Sequence, residues 1–503
     1  MSARFRPARL VFAFVACSLL AFDAPQFGSR FSPSCVSFAG AAEPKDGLIA
    51  YWPLSKDSRD HSGAGRDLVM VKSLSVGTAV GPDGDTRRAT TFNGQNQSLE
   101  LPADRAPKFG TGDFSISLWA YNDGRQEDVP GDLLSQYDVA AQRGWHLTLK
   151  SSPGATFSQA NFRRIQFGID DRRTEDWQDV GRPGDGLLAF ALVDYHDMLF
   201  AGVCRPGKNE SGRLYRYLGG KDWEDCGAPD ASNTVTALAQ FENQLYVGTG
   251  KYRVAGSALP ESENEQLGGR IFRYDPASRQ FTPCGSLPNR EAVSGLVVYR
   301  NRLYAGSLYK PAGFFVYEGG TRWGELPAPD GLRVESMMVH DGYLYATTYD
   351  GGRVFRFDGD AWHACQPVGA PGVNTQTYAF TTYQGQLHVG TWPSGRVYRL
   401  QSDLGWMDLG RLGEELEVMG MHVHNGRLFA GTLPSAEIYE FAPSGQWKKM
   451  TQLDSTPDVK YRRAWTMCEY RGQLFCSTLP SGKVFAMRAG QTVAHPCEFP
   501  SAW

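Results

Sequence analysis

The chain lacks an excess of charge of either sign. Its 503 residues carry 51 Lys and Arg against 54 Asp and Glu, a net charge of −3. This balance attracts no polyanion, so we expect neither a nucleic acid nor an anionic membrane surface as partner. Long helical patterns are also scarce. The 57 glycines and 12% aromatic residues are instead typical of an all-β protein with many turns.

Long hydrophobic runs are missing after the N-terminus. The mostly apolar run from Leu10 to Phe22 follows Arg4, Arg6 and Arg9, and Ala39-Gly40-Ala41 offers a small-residue cleavage site. This pattern predicts a signal peptide over residues 1–41. An uncleaved anchor is the alternative, but the run is shorter than the ~20 residues that a bilayer span needs. We therefore expect a bacterial-type exported protein, secreted, periplasmic or on the cell surface, without a membrane span after cleavage.

Cysteine pairs with metal-ligand or redox spacing are absent. Of nine cysteines, cleavage would remove Cys17 and Cys35 and leave seven, so at least one thiol has no partner within the chain. Cys226, Cys284 and Cys365 recur at one position of the repeat described below. This recurrence indicates small buried residues on outer strands rather than a disulfide framework.

The segment 46–172 alternates apolar and polar residues between short turns. An aromatic strand is predicted over Gly47–Leu54, a turn over Asp60–Gly65, and a strand over Phe109–Ala120, on which Phe114, Ile116 and Leu118 would share a face. In this order the three signatures resemble the laminin-G-like, concanavalin-A-like domain. That resemblance implies a jelly roll that binds sugar or protein, often with Ca²⁺.

The sequence departs from this family after Ile165–Asp170. The family's closing strands do not follow, so we expect a shortened sandwich whose edge or face another part of the protein covers. Asp60 and Asp67 are candidate Ca²⁺ ligands, and the alternative is that they cap turns. No other cofactor is indicated.

Seven copies of one repeat occupy residues 174–490. Each contains a strand of the type x-Leu-Tyr-Val-Gly-Thr after an apolar strand and a turn, and a fourth strand usually carries Trp. Four short antiparallel strands per repeat are typical of a propeller blade. We therefore predict an all-β fold, with a shortened jelly-roll sandwich and a seven-bladed β-propeller, followed by a C-terminal tail over 491–503. The repeat leucines are Leu199, Leu245, Leu303, Leu344, Leu387, Leu428 and Leu474.

Two features favour a closed ring. The segment Trp177–Gly181 matches a fourth strand but precedes the first repeat, so it can supply the outer strand of the last blade. A small residue stands eight positions before every repeat leucine, as expected where inner strands converge on a narrow axis. The Tyr/Gly/Trp pattern is similar to kelch-type propellers, although the Gly-Gly doublet of that family is missing. This resemblance implies a fold and no activity.

Residues just ahead of the small inner position are expected to line one mouth of the propeller. An aromatic surface beside charged groups suits a sugar or an anionic glycan. A solvated rim of ion pairs is the alternative. The connection Gly250–Gly269 belongs to the same face and is a candidate lid. We call the predicted set the mouth residues: Arg333, Glu335, Gln376, Tyr378, Glu417, Arg462, Arg463 and Trp465.

The leading prediction is a non-catalytic exported protein that binds glycan through the propeller mouth, the jelly roll or both. A polysaccharide lyase or hydrolase that uses Glu335 and Glu417 as a carboxylate pair is a second hypothesis. A cell-surface adhesion or scaffold module that binds an extracellular protein is the third. No catalytic residue is assigned, because nucleophile triads and nucleotide-binding motifs are missing. His422 and His424 share a strand face without a third metal ligand.

Overall fold

The structure, a computed structural model, describes residues 10–12, 47–80, 86–92, 97–110, 112–122, 131–151 and 163–497. The fold is nearly all β. The chain divides into two compact units, Met1–Asp123 and Gly124–Trp503. This division falls inside the segment 46–172, and the predicted domain boundaries stay a prediction. The predicted signal peptide lies outside the described residues except for Leu10–Phe12, which form a strand.

The first unit contains two small sheets. One has the order β3-β4-β1-β6, and the other pairs β2 with β5. Phe114, Ile116 and Leu118 are half-buried while their neighbours are exposed, so the predicted alternation is present. No strand is assigned there or over Gly47–Leu54, because neither segment pairs with a neighbour in a described ladder. The strands are β1 Leu10–Phe12, β2 Val69–Val71, β3 Ser75–Val80, β4 Thr86–Thr91, β5 Ser98–Glu100 and β6 Ala120–Asn122.

The second unit begins with three long strands, β7 Gly131–Asp138, β8 Arg143–Ser151 and β9 Arg163–Thr174. They form a sheet of order β38-β9-β8-β7, in which β38 is the C-terminal strand Ala489–Cys497. Residues 491–497 were predicted to be part of a tail. They pair instead with β9, because the edge of β9 offers a full row of backbone hydrogen-bonding groups. We call this the terminal sheet.

The remaining strands form antiparallel groups in chain order. The first is β11 Leu188–Tyr195, β12 Met198–Cys204, β13 Arg213–Gly219 and β14 Asp222–Gly227; the second is β15 Thr234–Phe241, β16 Gln244–Gly250, β17 Arg270–Asp275 and β18 Gln280–Ser286. The third is β19 Val293–Tyr299, β20 Arg302–Ser307, β21 Phe314–Tyr317 and β22 Trp323–Leu326; the fourth is β23 Val334–His340, β24 Tyr343–Thr348, β25 Val354–Phe357 and β26 Trp362–Ala364. The fifth is β27 Gln376–Tyr383, β28 Gln386–Trp392, β29 Arg396–Leu400 and β30 Trp406–Arg411; the sixth is β31 Glu417–His424, β32 Arg427–Leu433, β33 Glu437–Phe441 and β34 Trp447–Gln452. The last is β35 Arg463–Tyr470, β36 Gln473–Leu479 and β37 Val484–Met487. Two short 3₁₀ helices, η1 Val254–Ser257 and η2 Pro329–Gly331, lie in connections.

The first strands of successive groups pack against one another. Each of β11, β15, β19, β23, β27 and β31 packs against the first strand of the next group, and β35 packs against β11. The early strand β10, Gln178–Asp179, pairs with β37 of the last group. The predicted pairing of this segment with the last repeat is therefore confirmed. The arrangement of four-stranded sheets is consistent with a β-propeller.

The Gly-Thr pair of the second strands β16, β28 and β32 has a local explanation. A Cβ atom at Gly390 would lie 2.6 Å from Val418 Cβ on the next first strand, so a side chain there would collide with the neighbouring sheet. Thr432 Oγ1 donates to Glu437 O at 3.0 Å and accepts from Glu437 N at 3.2 Å. These two bonds close the connection between β32 and β33.

The recurrent cysteines and tryptophans occupy outer strands. Cys226 and Cys284 are buried on β14 and β18, as predicted, and Cys365 is half-buried just after β26. Trp323 Nε1 donates to Cys284 O at 2.8 Å, which links β22 to the outer strand of the preceding group. Among the residues that the structure describes, no helix has the length and apolar character that crossing a membrane requires.

Candidate functional site

A β-bulge recurs at the same point of each repeat and directs one side chain inward. The pairing between the first and second strand of every group shifts register at the small residue that the sequence analysis identified. A bulge leaves a residue outside the ladder and changes the direction of its side chain. All seven residues placed there are buried, and we call them the bulge residues: Phe190, Thr236, Ser294, Glu335, Tyr378, Met419 and Trp465.

A second equivalent set lies two residues earlier in each repeat, and we call these the entry residues. The side-chain chemistry of the entry residues differs between the first three groups and the last four. The first three are apolar or uncharged, whereas the last four are polar or charged and come from consecutive groups. Four of the mouth residues are therefore entry residues of four consecutive strand groups. The entry residues are Leu188, Thr234, Ala292, Arg333, Gln376, Glu417 and Arg463.

The aromatic members of these sets pack together. The rings of Phe190 and Trp465 have centroids 5.1 Å apart, and Tyr252 lies 5.1 Å from Phe190 and 6.0 Å from Trp465. Tyr378 belongs to the same core cluster. The sequence analysis expected Tyr378 and Trp465 to form an open stacking surface. Both are instead nearly fully buried, because the bulge directs them into the packed centre.

Glu335 and Glu417 are carboxylates inside this centre. Only 1% of Glu335 and 5% of Glu417 is exposed, and each retains one buried oxygen, Oε2 and Oε1 respectively, without a hydrogen-bond partner. Such an atom costs free energy unless something supplies a donor. The repeat pattern predicts this pair but not the distance between its members. Glu335 lies at the bulge of β23 and Glu417 at the start of β31.

The acidity of both groups reflects this environment. Burial raises the pKa of Glu335, a hydrogen bond from Tyr378 lowers it, and the charge of Glu417 raises it again, to a net value of about 8. Burial raises the pKa of Glu417 to about 7, although the charge of Arg463 opposes the rise. Carboxyl groups with pKa values near neutrality are poised to exchange protons at physiological pH.

The two arginines of the charged half differ in their pairing. Arg333 donates to Asp350 through Nε at 2.9 Å and Nη2 at 2.8 Å, and it lies 4.2 Å from the ring centre of Tyr349. Arg463 is only 7% exposed, and its buried Nε and Nη1 atoms have no hydrogen-bond partner among the described residues. Its guanidinium lies 5.6 Å from the Trp465 ring centre. Arg463 is therefore a buried cation with unused donors.

Two further mouth residues are placed differently. Arg462 is half-buried and donates through Nε to Thr456 O at 2.6 Å, so its guanidinium is engaged by the preceding loop. Gln376 is half-buried at the start of β27. The structure thus gathers Glu335, Glu417 and Arg463 with the aromatic cluster and holds Arg462 in a separate contact.

Sequence reasoning missed two tyrosines of the site, Tyr309 and Tyr349, whereas Tyr252 belongs to the connection that was predicted as a candidate lid. Tyr349 lies near Glu335 and Glu417, and the charges of both raise its pKa after burial does so. Tyr309 accepts a 2.9 Å hydrogen bond from Arg253 N, and Tyr252 is buried against Phe190. Tyr349 stands five positions after its repeat leucine, like the buried Leu433 and Leu479. Alignment of that position would have revealed it.

Hydrogen bonds within the connection 250–269 and to neighbouring segments fix its position. Tyr252 N donates to Asn233 Oδ1 at 2.7 Å, and Glu261 Oε1 accepts from Val254 N at 3.0 Å. Further along, Ser262 Oγ donates to Pro206 O at 2.8 Å. The candidate lid therefore contributes Tyr252 and Val254 to the central cluster, and its movement stays a prediction.

A second buried polar cluster joins the terminal sheet to β31, β32 and β35, and it was not foreseen. Lys150 Nζ lies 2.6 Å from Glu469 Oε2 and donates to Val423 O at 2.8 Å. His422 and His424 lie 3.8 and 3.4 Å from the Glu469 carboxylate. The shared strand face of the two histidines was recognised in the sequence, but their partner is a carboxylate rather than a metal set.

Arg427 continues this cluster toward β9. Its guanidinium forms a bidentate ion pair with Asp170, with Nε to Oδ2 at 2.8 Å, and Nη1 donates to Thr174 Oγ1 at 2.7 Å. Tyr137 OH donates to the same carboxylate at 2.8 Å. We call the side chains of Lys150, Asp170, Asn425, Arg427 and Glu469 the sheet-binding cluster.

The candidate calcium ligands cap a turn. Asp60 Oδ1 accepts from Tyr51 N at 3.0 Å and from Ser62 N at 2.9 Å, and Asp67 Oδ1 accepts from Asp60 N at 2.8 Å. Burial alone would raise the pKa of Asp60, but hydrogen bonds from Ser62 and the backbone lower it to about 2. No group of three or more metal-ligating side chains occurs in the described part of the chain. Calcium binding at Asp60 and Asp67 remains a sequence-based expectation.

Comparisons with known proteins give fold likeness alone. No protein-family model and no curated protein matches the chain. Extracellular domains of a putative one-component and a putative hybrid two-component system from B. thetaiotaomicron are 12% and 13% identical, each with a TM-score of 0.46 over 62% of this chain. The chain spans only 40% and 39% of their lengths. A catalytically inactive virginiamycin B lyase from Staphylococcus aureus, with quinupristin, is 10% identical, with a TM-score of 0.49 over 63% of this chain and 99% of that one.

Proposed function

We propose that the chain is an exported binding protein that holds an acidic glycan at the centre of a closed seven-bladed β-propeller. The observation that carries this proposal is the set of unused hydrogen-bonding atoms on Arg463, Glu335 and Glu417, all buried beside aromatic rings. Buried polar atoms are normally paired with protein, water or ligand. A ligand that brings both acceptors and donors would satisfy all three residues.

The chemistry of these atoms favours an acidic sugar. The free Nε and Nη1 atoms of Arg463 each donate a hydrogen bond to a carboxylate or sulfate oxygen, and the free oxygens of Glu335 and Glu417 accept from hydroxyl groups. Tyr349, Trp392 and Tyr461 are half-buried at the edge of the same cluster and offer ring faces or edges to a sugar. A partner that lacks hydroxyls would leave Glu335 or Glu417 unpaired. The ligand class is therefore a hydroxylated anion such as a uronic-acid glycan.

The wider architecture follows from the same reasoning. The seven strand groups, the packing of β35 against β11 and the pairing of β10 with β37 support a closed ring with seven blades. A shortened laminin-G-like jelly roll ahead of the propeller, and export by the segment 1–41, are parts of the proposal that the sequence pattern supports. The similarity to kelch-type repeats is a similarity of sequence pattern alone.

Replacing Arg463 tests the binding site. Titration calorimetry with oligouronates should show binding by the unchanged protein and a loss of about 10- to 100-fold in affinity for Arg463→Gln, since hydrogen bonds between charged groups contribute roughly 1.5–3 kcal/mol. Arg462→Gln is the matched control, because that neighbouring guanidinium is bonded to Thr456. Equal affinities for Arg463→Gln and the unchanged protein would contradict the proposal.

A further inference from the structure

Arg463, Glu417 and Glu335 form a series of three buried ionisable side chains on the first strands of their groups. Glu417 and Arg463 are entry residues of β31 and β35, which pack against each other, and Glu335 is a bulge residue of β23. The charge of Arg463 acts on Glu417, and the charge of Glu417 acts on Glu335. They come from β35, β31 and β23, so three different strand groups contribute one member each. Every member has a buried nitrogen or oxygen without a hydrogen-bond partner.

This series supplies more than binding requires. Acceptance of sugar hydroxyls does not require carboxyl groups with pKa values near neutrality, and burial makes the charged state of each one costly. Two carboxyls in different protonation states are, however, what a reaction needs when one proton is removed and another is delivered. The buried cation beside them adds a group that neutralises a substrate carboxylate.

We propose that this site cleaves the acidic glycan by β-elimination, with Arg463 binding the uronate carboxylate, Glu417 as base and Glu335 as acid. The inference rests on the proposed function, because it requires the same ligand at the same residues. A proton on the carbon next to a carboxylate is removed with difficulty until the carboxylate charge is neutralised. Arg463 supplies that neutralisation at the end of the series that adjoins Glu417.

The reaction balances without any co-reactant. The Glu417 carboxylate takes the proton from the carbon next to the substrate carboxylate, and the C–H electron pair becomes a carbon–carbon double bond. The bond from the adjacent carbon to the glycosidic oxygen breaks, and that oxygen takes its proton from the Glu335 carboxyl. One product is an unsaturated uronate and the other a free alcohol. Exchange with solvent moves the proton from Glu417 back to Glu335.

The protonation states at neutral pH fit these roles. With a pKa of about 8, Glu335 carries its proton at neutral pH and serves as the acid. With a pKa of about 7, Glu417 is ionised in about half of the molecules and serves as the base. Hydrolysis by the same two carboxylates would leave the buried Arg463 without a chemical task, so the observations favour elimination.

The full chain should be incubated with oligomers of galacturonate, mannuronate and glucuronate, and near-ultraviolet absorbance should reveal the double bond conjugated to the carboxylate. Glu417→Gln should lower turnover at least about 100-fold while it changes oligouronate affinity less than about threefold, because the amide keeps the shape but cannot take the proton. When turnover rate is measured against pH, Glu335→Gln should remove the fall in rate at alkaline pH. Glu414→Gln, at a carboxylate with 97% exposure, is the matched control and should retain full turnover.

Thermal unfolding of each variant separates loss of chemistry from loss of fold. Glu417→Asp keeps a carboxylate, so its turnover should exceed that of Glu417→Gln if the residue acts as a base. Oligouronate binding without unsaturated product would overturn the inference and leave the proposed function intact. New reducing ends without a double bond would show hydrolysis and also overturn it. Absence of both binding and turnover across the three uronates would remove both proposals.

Discussion

The same residue type has opposite acidity at two buried positions of this protein. Glu335 lies among tyrosines with Glu417 as a neighbouring charge, and its pKa rises to about 8 after burial and repulsion act on it. Glu469 is also buried, but Lys150 and His424 act against burial and hold its pKa well below the usual range. The local partner therefore decides whether a buried carboxylate carries a proton. Glu469 has a structural role, while Glu335 is available for chemistry.

The raised pKa values of Glu335 and Glu417 predict a pH-dependent stability. Between the unfolded pKa near 4.5 and folded values near 7 and 8, the folded protein binds more protons than the unfolded chain, so the free energy of unfolding should fall as pH rises through this window. Denaturant unfolding at pH 5 and pH 8 should show this fall. The double variant Glu335→Gln, Glu417→Gln should reduce it by at least about 1 kcal/mol. An unchanged pH dependence would show that the two groups titrate normally.

At the scale of the element, the β-bulge is the device that builds the site. In a regular strand, successive side chains point to opposite faces of the sheet, so Glu335 and Tyr378 would follow the alternation of their own strands. The bulge removes both side chains from this alternation. The register shifts between Val334 and Met337 and between Thr377 and Phe380 leave these two side chains outside the ladder. The glycine of the second strand gives the next sheet room to approach.

The tryptophans of the fourth strands offer a test of how neighbouring groups are joined. Trp323 Nε1 donates to Cys284 O at 2.8 Å, whereas Trp447 Nε1 is buried without a partner. Trp323→Phe should lower the free energy of unfolding by about 1 kcal/mol more than Trp447→Phe does. Only the first substitution removes a hydrogen bond and leaves a carbonyl oxygen without its donor. Urea unfolding of both variants measures the difference. Equal losses would mean that these tryptophans act through apolar packing alone.

At the scale of the second unit, its two ends meet in the terminal sheet. The sheet-binding cluster attaches β8 and β9 to β31, β32 and β35, and Asn425 Nδ2 donates to Ile169 O at 3.0 Å and to Ala489 O at 2.7 Å. Breaking a buried ion pair such as Arg427–Asp170 leaves a charge without compensation. The directional contacts of this cluster therefore define one position for the terminal sheet, whereas apolar packing alone would be less specific.

Removal of the last strand should weaken this attachment. A chain that ends at Arg488 lacks β38, so β9 loses one of its two ladders and Asn425 loses one acceptor. We expect a lower unfolding temperature and at least about tenfold faster amide exchange over residues 165–170. A chain that ends at Cys497 retains β38 and is the control. Unchanged exchange in the shorter chain would show that β9 is stable without its C-terminal partner.

The repeat, the strand groups and the closing segment could be predicted from the amino-acid pattern alone. A motif repeated seven times states where strands and turns lie, because alternation and glycine placement are local requirements of a pleated strand. The same alignment placed Glu335, Tyr378, Glu417, Arg463 and Trp465 near one centre, since equivalent positions in a repeat occupy equivalent places. In the segment 46–172 the alternation was present, yet no strand formed over Gly47–Leu54, because a strand also requires a partner ladder.

Which of these side chains have hydrogen-bond partners depends on the three-dimensional packing of the chain. Arg462 and Arg463 are adjacent and chemically identical, but one is bonded to a loop carbonyl and the other is buried with free donors. The burial of Tyr378 and Trp465, the contact of His424 with Glu469 and the pairing of β38 with β9 likewise join residues far apart in the chain. Such contacts depend on distances set by the packing of whole sheets, and no local pattern encodes them.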